Sequence, residues 1–375
     1  MERETACRRK KEAAEQFDLG GRISNIQEYG NGHINDTFLL CIEEADKTEK
    51  KAILQRMNHE VFQQPVQVME NILQVTSYLK KKIAETGGDP ERETLNVYPA
   101  RDGKPYYRDE DGNYWRAYAF IDHAVSYDAV ERPEIFYESA RAFGRFQRML
   151  ARFPSDTLHE TIVGFHDTKA RFARFEQVVS EDKCGRAAEV RAEIDFVLAR
   201  KETAEVLGRM QQEGQLPLRV THNDTKLNNI LMDEATGKAA CIIDLDTVMP
   251  GLSVHDFGDA IRFGANTGAE DETDLSKVSC DLSLFALYTK GFLEGCDGSL
   301  TQEEIRALPI GARAMTLECG MRFLTDYLEG DVYYKIHRPK HNLDRCRSQF
   351  KLLADMEEKQ SEMERIVAGA FGTVE

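Results

Sequence analysis

The sequence predicts an α+β fold of two lobes, in which a small β-rich lobe precedes a larger and mostly helical one. Short apolar segments separated by glycine and Asp-Gly turns fill the first third of the chain. Helical spacing of apolar residues dominates from about residue 133, and an irregular polar stretch with a β-hairpin interrupts it at 221–243. With 375 residues and 41% hydrophobic content, the chain can build a substantial core in each lobe.

The small lobe is predicted from strands and turns and is expected to span residues 1–123. A glycine turn containing Gly30 and Gly32 follows the first strand. Apolar residues at helical spacing then predict an amphipathic helix over 65–85, which Gly87-Gly88 stops. The predicted strands of this lobe are 23–29, 34–42, 51–57 and 114–121.

The large lobe is expected over 124–375. The turn 234–237 lies between two short β-rich segments and predicts a hairpin, and Pro250-Gly251 predicts a tight turn. The predicted helices lie at 133–151, at 187–213 and from about 280 to the end of the chain, and the hairpin strands at 230–232 and 239–243.

Charge and cysteine content exclude several classes of function. The net charge is −16, whereas sequence-independent nucleic-acid binding and binding to anionic membranes need basic surfaces. The eight cysteines form no CxxC pair and no cluster with histidine, which predicts reduced thiols and no zinc site. Neither a secretory signal nor a membrane span is predicted. We therefore expect a cytoplasmic protein that acts on small molecules, without nucleic-acid or membrane partners.

The densest set of polar residues lies at 222–229 and directly after the hairpin. Phosphoryl transfer from a nucleotide needs a carboxylate that orients the attacking hydroxyl and takes its proton, and oxygen ligands that hold Mg²⁺ against the phosphates. Asp224 fits the first task. Asn229 and Asp244 fit the second, because the hairpin between them returns the chain toward Asn229. The ordered pattern HxDxxxxN, hairpin, apolar-apolar-Asp therefore predicts ATP- and Mg²⁺-dependent phosphoryl transfer.

A metal-dependent hydrolase is the alternative interpretation of the same residues. Asp224, Asp244, Asp246 and His255 can in principle cluster on a two-metal centre. Phosphoryl transfer is preferred because a β-rich lobe with a glycine turn precedes the loop, and a hydrolase does not require that lobe. His222 is interpreted as a brace for the loop rather than as a reactive group.

The segments around these residues resemble a known superfamily. His222-Asn223-Asp224 with Asn229 and Ile243-Asp244, followed by His255–Asp259, is similar to the aminoglycoside phosphotransferase and choline kinase superfamily. That superfamily has the bilobal protein-kinase fold. The longer segments Thr221–Met232, Ile243–Gly251, Asp256–Gly264 and Glu318–Asp331 closely resemble the N-acetylhexosamine 1-kinases. The resemblance implies transfer of the ATP γ-phosphoryl group to the anomeric hydroxyl of GlcNAc or GalNAc.

The resemblance also implies roles around the acceptor. Asp224 would be the catalytic base and would touch the reacting hydroxyl, while Asn229 and Asp244 would bind Mg²⁺. The sugar would be held by His33 from the small lobe and by Arg322 and Tyr333 from the large lobe.

On the nucleotide side, the resemblance implies that the turn with Gly30 and Gly32 covers ATP. The strand 115–121 would be the hinge, where the backbone at Tyr118 and Phe120 reads the adenine. The strand 51–57 departs from protein kinases because it places no lysine in the usual phosphate-binding position, and Gln55 or Arg56 falls nearest.

The missing lysine has consequences for the predicted site. Glu70 is the only candidate for the glutamate that would partner this position, and phosphate neutralisation would rest more on Mg²⁺ and loop amides. A nucleotide-binding pseudokinase therefore stays open beside the enzyme. An aminoglycoside, choline or homoserine kinase stays open as well, and the sequence predicts no preference between GlcNAc and GalNAc.

Overall fold

The computed structural model describes residues 9–30 and 34–372, and its N-terminal part is an antiparallel sheet. The strands of this sheet are β1 (Arg22–Glu28), β2 (Asp36–Glu43), β3 (Glu49–Met57), β4 (Val97–Tyr98), β5 (Tyr107–Arg108) and β6 (Tyr114–Ala119). They lie in the order β1-β2-β3-β6-β4, and β5 pairs with the beginning of β6. The four strands predicted from the sequence correspond to β1, β2, β3 and β6, so that prediction is confirmed.

Alternation along the strands gives the sheet one small core of its own. Phe38, Leu40 and Ile42 of β2 are buried at every second position, as expected when one face of a strand is covered. They pack together with Leu54 of β3 and Trp115 of β6. Register is fixed by this alternation, because a slip of one residue would turn these apolar side chains to the other face.

The opposite face of the sheet is covered by helix α1 (Pro65–Glu85), as predicted. The helix begins at proline, whose missing amide suits the first turn, and ends before Gly87, which has a φ of +75°. Asn71 on its buried face donates from Nδ2 to the carbonyls of His159 and Val248 at 2.8 and 3.0 Å. These bonds tie the small lobe to the rest of the chain.

The C-terminal part is mostly helical. After the short helix α2 (Pro90–Glu93), its helices are α3 (Pro133–Leu150), α4 (Thr168–Glu181), α5 (Arg191–Leu198), α6 (Lys201–Gln212), α7 (Ser253–Gly264), α8 (Leu282–Cys296), α9 (Gln302–Glu329), α10 (His341–Glu358) and α11 (Gln360–Phe371). The longest, α9, starts with a capping box between Thr301 and Glu304 and packs against both α7 and α10. None of the helices over the described ranges is both long enough and apolar enough to cross a membrane.

The structure differs from the sequence prediction at two places in the helices. The helix expected over 187–213 is interrupted at Ala199 and Arg200, because Arg200 leaves helical geometry and its guanidinium binds both carboxylate oxygens of Glu357 at 2.9 and 2.7 Å. Helix α4 was not predicted at all, although Asp167 caps it by accepting from the amide of Ala170 at 2.9 Å.

Short strands frame the polar stretch that precedes and follows the hairpin. They are β7 (Ala124–Val125), β8 (Arg219–Thr221), β9 (Ile230–Asp233), β10 (Ala239–Ile242) and β11 (Met249–Gly251). The predicted hairpin is confirmed as β9 and β10. The tight turn predicted at Pro250-Gly251 is wrong, since these residues belong to β11, which pairs with β8. Proline is tolerated there because β11 pairs on one side only.

Candidate active site

The loop 222–229 between β8 and β9 is built on one buried carboxylate. The backbone amides of His222 and Asn223 donate to the two oxygens of Asp256 at 3.0 and 2.7 Å, and Gln147 donates to it at 2.7 Å. Burial raises the pKa of Asp256, while these donors and His222 oppose that rise. Asp256 therefore acts as a scaffold for the loop.

The backbone makes a sharp bend just before Asp224. Asn223 has a φ of +64°, a left-handed conformation that asparagine tolerates better than most residues. Its side chain stabilises the bend by donating to the carbonyl of Thr247 at 2.9 Å and accepting from the hydroxyl of Thr221 at 2.9 Å. Gly251 makes room for this arrangement, because a Cβ there would lie 2.2 Å from the Thr221 hydroxyl.

Both oxygens of the Asp224 carboxylate have partners. Asn229 Nδ2 donates to Oδ2 at 2.9 Å, and Lys226 Nζ lies 2.9 Å from Oδ1. Burial raises the pKa of Asp224, but the charge and hydrogen bond of Lys226 outweigh burial, so the pKa is lowered overall. The carboxylate is thus ionised and oriented, as a general base must be.

Lys226 is a site residue that the sequence analysis missed. The charge of Asp224 raises the pKa of Lys226, which keeps the ammonium group charged beside the Asp224 carboxylate. A signal was present, because Lys226 is the only lysine or arginine between Thr221 and Ile230.

His222 braces the loop through both ring nitrogens. Its Nδ1 accepts from the amide of Asp224 at 3.3 Å, and its Nε2 lies 3.0 Å from the carbonyl of Ile243. These partners require a neutral ring with the proton on Nε2. The rings of Phe143 and Phe146 pack against the imidazole, so His222 is a structural element of the site.

The hairpin brings the two expected metal ligands together. The amide of Ile243 donates to the carbonyl of Asn229 at 2.9 Å, which places Asp244 directly beside Asn229. Asn229 uses Nδ2 on Asp224, and its Oδ1 accepts no hydrogen bond from any residue in 9–30 or 34–372. Asp244 has a left-handed φ of +58°, which turns its carboxylate out of the strand direction.

The charges around Asp244 fit a divalent cation. The side chain of Asp244 is exposed, but desolvation by the protein around it, followed by the charges of Asp246 and Asp224, raises the pKa of Asp244 to about 7. A hard cation with oxygen ligands relieves this crowding, so the donor set of Asn229 and Asp244 suits Mg²⁺.

Asp246 has a different role from the metal ligand that the hydrolase interpretation required. It forms a two-pronged ion pair with Arg116 of β6, and Nη2 lies 3.0 Å from Oδ2, with side chains only 1% and 3% exposed. Asn35, which follows the glycine turn, donates to the same Oδ2 at 2.7 Å. The pair therefore connects the sheet, the glycine turn and the segment after the hairpin.

Gln55 and Glu70 do not reproduce the lysine–glutamate pair of protein kinases. Gln55 donates to Thr37 at 3.0 Å and accepts from Arg116 at 2.9 Å, so both ends of its amide are occupied. Glu70 instead pairs with His159 at 2.7 Å on the surface. Arg116 is thus the buried cation at this point of the sheet, and its position within an apolar strand was the sequence signal for it.

Tyr29, which precedes the glycine turn, contacts the predicted hinge. Gly30 has a φ of +73° and an open environment, and the ring of Tyr29 packs edge-on against Phe120 with centroids 5.9 Å apart. Gly32 and His33 fall outside the described residues, so their predicted contacts stay predictions.

Tyr118 and Phe120 differ in what their backbones can offer. Tyr118 lies inside the sheet, between Ile53 of β3 and Val97 of β4, so its backbone is enclosed by strands on both sides. By contrast, the carbonyl of Phe120 and the amide of Asp122 have no hydrogen bond within the described part of the chain. The backbone groups without an intramolecular partner therefore begin at Phe120, and adenine binding at Tyr118 and Phe120 stays a prediction.

Arg322 lies in a cage of aromatic rings. Its guanidinium is 5.7 Å from the centroid of Phe165, 6.0 Å from Tyr333 and 5.6 Å from Tyr334. No carboxylate or carbonyl in residues 9–30 or 34–372 forms an ion pair or hydrogen bond with it. The hydrogen-bond donors of Arg322 are therefore available to a ligand, while the rings hold its charge in place.

The buried carboxylate of Asp326 positions the two tyrosines. It accepts from the amides of Val332, Tyr333 and Tyr334 at 2.9, 2.8 and 3.0 Å. This loop follows α9, which also carries Arg322. One helix and one anchored loop therefore fix the positions of Arg322 and the two tyrosines of the cage. The sequence analysis did not predict Phe165, Tyr334 or Asp326 as site residues.

Comparison with known proteins agrees with this geometry. Residues 25–281 match the family model of the phosphotransferase enzyme family, APH. A microcompartment-associated aminopropanol kinase superposes with a TM-score of 0.57 at 15% identity, over 94% of this chain and 97% of its own. An amicoumacin kinase solved with AMP-PNP and Ca²⁺ gives 0.56 at 11% identity, over 96% and 94% of the two chains.

A choline kinase from Cryptosporidium parvum gives a TM-score of 0.52 at 14% identity, over 90% and 89% of the two chains. These neighbours confirm the predicted fold class, with a β-sheet lobe followed by a helical lobe. Since the family model covers most of the sheet, the loop 222–229 and the segment with Asp244, the chain belongs to the phosphotransferase enzyme family of small-molecule kinases.

Proposed function

We propose that this phosphotransferase transfers the γ-phosphoryl group of ATP to the anomeric hydroxyl of an N-acetylhexosamine, GlcNAc or GalNAc. Asp224 accepts the hydroxyl proton as the oxygen attacks phosphorus and the bond to ADP breaks, giving the sugar 1-phosphate and ADP. The lobes meet near residue 123, so the nucleotide lies between the sheet and the loop 222–229. We place the reaction in the cytoplasm, where ATP is available.

Asn229 and Asp244 would hold Mg²⁺, which supplies charge neutralisation on the phosphates when bound. Lys226 contributes a second positive charge at the reacting centre, because its Nζ lies 2.9 Å from the base. When a hydroxyl replaces the lysine on Asp224, the ammonium group is released next to the transferring phosphoryl group. The lysine missing from the usual phosphate-binding position of β3 is thus offset by a cation on the catalytic loop, which supports an enzyme over a pseudokinase.

The observation that carries the choice of acceptor is the charge of the aromatic cage. Arg322 has no ion-pair partner in the described part of the chain, whereas Arg171 lies 3.6 Å from Glu318. Burial, followed by the charge of Arg322, lowers the pKa of Arg171, and both guanidinium groups act on the single carboxylate of Glu318. Such a pocket repels the cationic acceptors of aminoglycoside and choline kinases and offers donors to hydroxyl and acetamido oxygens.

The test is an acceptor panel with ATP and Mg²⁺, followed by phosphorus NMR of the product. We expect a 1-phosphate from GlcNAc or GalNAc, and no product from choline, kanamycin or the methyl glycoside, whose anomeric oxygen is blocked. Arg322→Ala should lower kcat/KM for the sugar far more than for ATP. A 6-phosphate, or consumption of the methyl glycoside, would contradict the proposed acceptor but leave kinase activity intact.

A further inference from the structure

The segment 164–168, which precedes helix α4, touches both halves of the proposed site. Phe165 forms one wall of the aromatic cage around Arg322. The next residue, His166, reaches the catalytic loop, where its Nε2 lies 3.3 Å from the carbonyl oxygen of Asn223. Adjacent side chains of one segment thus contact the acceptor cage and the peptide unit that precedes the base.

That peptide unit is held from two sides by histidines. Its carbonyl, on Asn223, faces His166, and its amide, on Asp224, donates to Nδ1 of His222 at 3.3 Å. Asn223 has a left-handed φ of +64°, so the peptide unit lies outside any helix or strand hydrogen-bond ladder. The two rings therefore determine how the peptide, and with it the Asp224 side chain, is oriented.

The two histidines need different numbers of protons. His222 meets one donor and one acceptor, which a neutral ring satisfies. His166 meets two acceptors, because its Nδ1 lies 2.9 Å from Oε1 of Glu318 and its Nε2 faces the Asn223 carbonyl. Only an imidazolium donates to both at once.

The partner of the His166 Nδ1 is an ionised carboxylate. Burial raises the pKa of Glu318, but His166, Arg171 and Arg322 more than offset it and lower the pKa to about 2, so the carboxylate is ionised. Thr168 donates to its other oxygen at 2.6 Å. The guanidinium groups of Arg171 on α4 and Arg322 on α9 also lie close to the carboxylate of Glu318, and their positive charges oppose a positive charge on His166.

His255 on α7 is the remaining titratable neighbour, with ring centroids 5.0 Å from His166. Its Nδ1 is buried and has no hydrogen-bond partner in the described residues. Burial, followed by the charge of His166, lowers the pKa of His255 to about 3. His166, by contrast, has a hydrogen-bond acceptor beside each of its two ring nitrogens.

We propose that His166, whose ring is held by Glu318, is a positioning residue for Asp224. Its imidazolium form binds the Asn223 carbonyl and thereby sets the orientation of the Asp224 side chain. The role rests on the proposed function of Asp224 as the base. Phe165 of the same segment packs on Arg322, so a movement of the aromatic cage also moves His166. Acceptor binding and the orientation of the base are therefore linked through this segment.

The first test is a set of variants assayed at saturating acceptor. His166→Gln cannot donate to both neighbours, and we expect kcat to fall about 10- to 100-fold, as for a modest displacement of a catalytic group, with KM for ATP within about twofold. His159→Gln is the matched control, because His159 also pairs with a glutamate, Glu70, at 2.7 Å but on the surface. It should retain wild-type kcat.

The split between kcat and KM separates positioning from packing. His166→Gln should lower kcat while KM for ATP changes little, whereas a general packing defect would change both. Equal kcat for wild type and folded His166→Gln would overturn the role. Full activity of Asp224→Asn would instead refute the base assignment, and so distinguishes failure of the proposed function.

Nitrogen NMR of the histidine rings gives an outcome that needs no variant and no turnover. In the wild-type protein at neutral pH, we expect both ring nitrogens of His166 to be protonated and His222 to be the neutral Nε2–H form. A neutral His166 at pH 6 would overturn the inference even where His166→Gln does not fold.

Discussion

Replacing Arg116 with methionine should destabilise the small lobe strongly. The guanidinium and the Asp246 carboxylate are both almost fully buried, at 1% and 3% exposure, and they bind each other through two contacts. Within the described residues, Arg116→Met leaves the carboxylate with the Asn35 amide as its one remaining partner, at 2.7 Å. Breaking a buried pair in this way costs about 3–5 kcal/mol, because one charge stays buried without compensation.

A local probe lies one residue away. Trp115 is the only tryptophan of the chain, is 3% exposed and precedes Arg116 on β6. Urea unfolding followed by tryptophan fluorescence therefore reports on the sheet that carries the substitution. At a slope of about 2–3 kcal/mol per molar urea, the expected loss moves the midpoint down by roughly 1–2 M.

Two controls identify the cause. The double variant Arg116→Met with Asp246→Leu removes both charges and should recover most of the lost stability, because buried pairs are often replaceable by apolar residues. Arg56→Met breaks the exposed Arg56–Asp36 pair on the neighbouring strands and should cost less than about 1 kcal/mol. If Arg116→Met is no worse than Arg56→Met, the buried pair does not stabilise this sheet.

Four further substitutions test the site. Asp224→Asn should lower kcat by about 10²–10⁴ while MgATP still binds, and substantial remaining activity would reject the base. Asp244→Ala should abolish Mg²⁺-dependent nucleotide affinity in calorimetry, and unchanged affinity would move the metal role elsewhere. Lys226→Met removes the charge that lowers the pKa of Asp224, so the acidic limb of the kcat/KM profile should move to higher pH. An acidic limb at the same pH as in the wild type would show that Lys226 does not lower the pKa of Asp224. Asp326→Asn places donors against the amides of the loop with Tyr333 and should raise KM for the sugar but not for ATP; equal changes in both would indicate general unfolding.

The strands and the first long helix could be predicted because their own side chains carry the pattern. Alternation in β2 and the apolar stripe of α1 coincide with the faces that are buried. Helix α4 lacked such a signal: its buried side chains Phe172, Phe175 and Val178 form a narrow stripe among charged residues. The stripe becomes meaningful only against α9, with which α4 packs.

The break at Ala199 and Arg200 could not be predicted for a related reason. Neither glycine nor proline marks it, and both flanking segments favour helix. The interruption is stabilised from outside, by the two contacts between Arg200 and Glu357 on α10. A residue 157 positions away in sequence thus determines where the helix ends.

Local sequence also could not distinguish the two aspartates that follow the hairpin, Asp244 and Asp246. In the sequence, Asp244 and Asp246 are equivalent carboxylates after an apolar strand, and a two-metal centre could include both. They differ because Asp244 has a left-handed backbone and opens to the cleft, whereas Asp246 lies on Arg116, 130 residues earlier in the chain. Local sequence can identify a carboxylate as polar and loop-borne, but the cation that neutralises it comes from another strand. Asp244, the proposed metal ligand, and Asp246, which Arg116 neutralises, therefore differ because of the β-sheet rather than because of the motif.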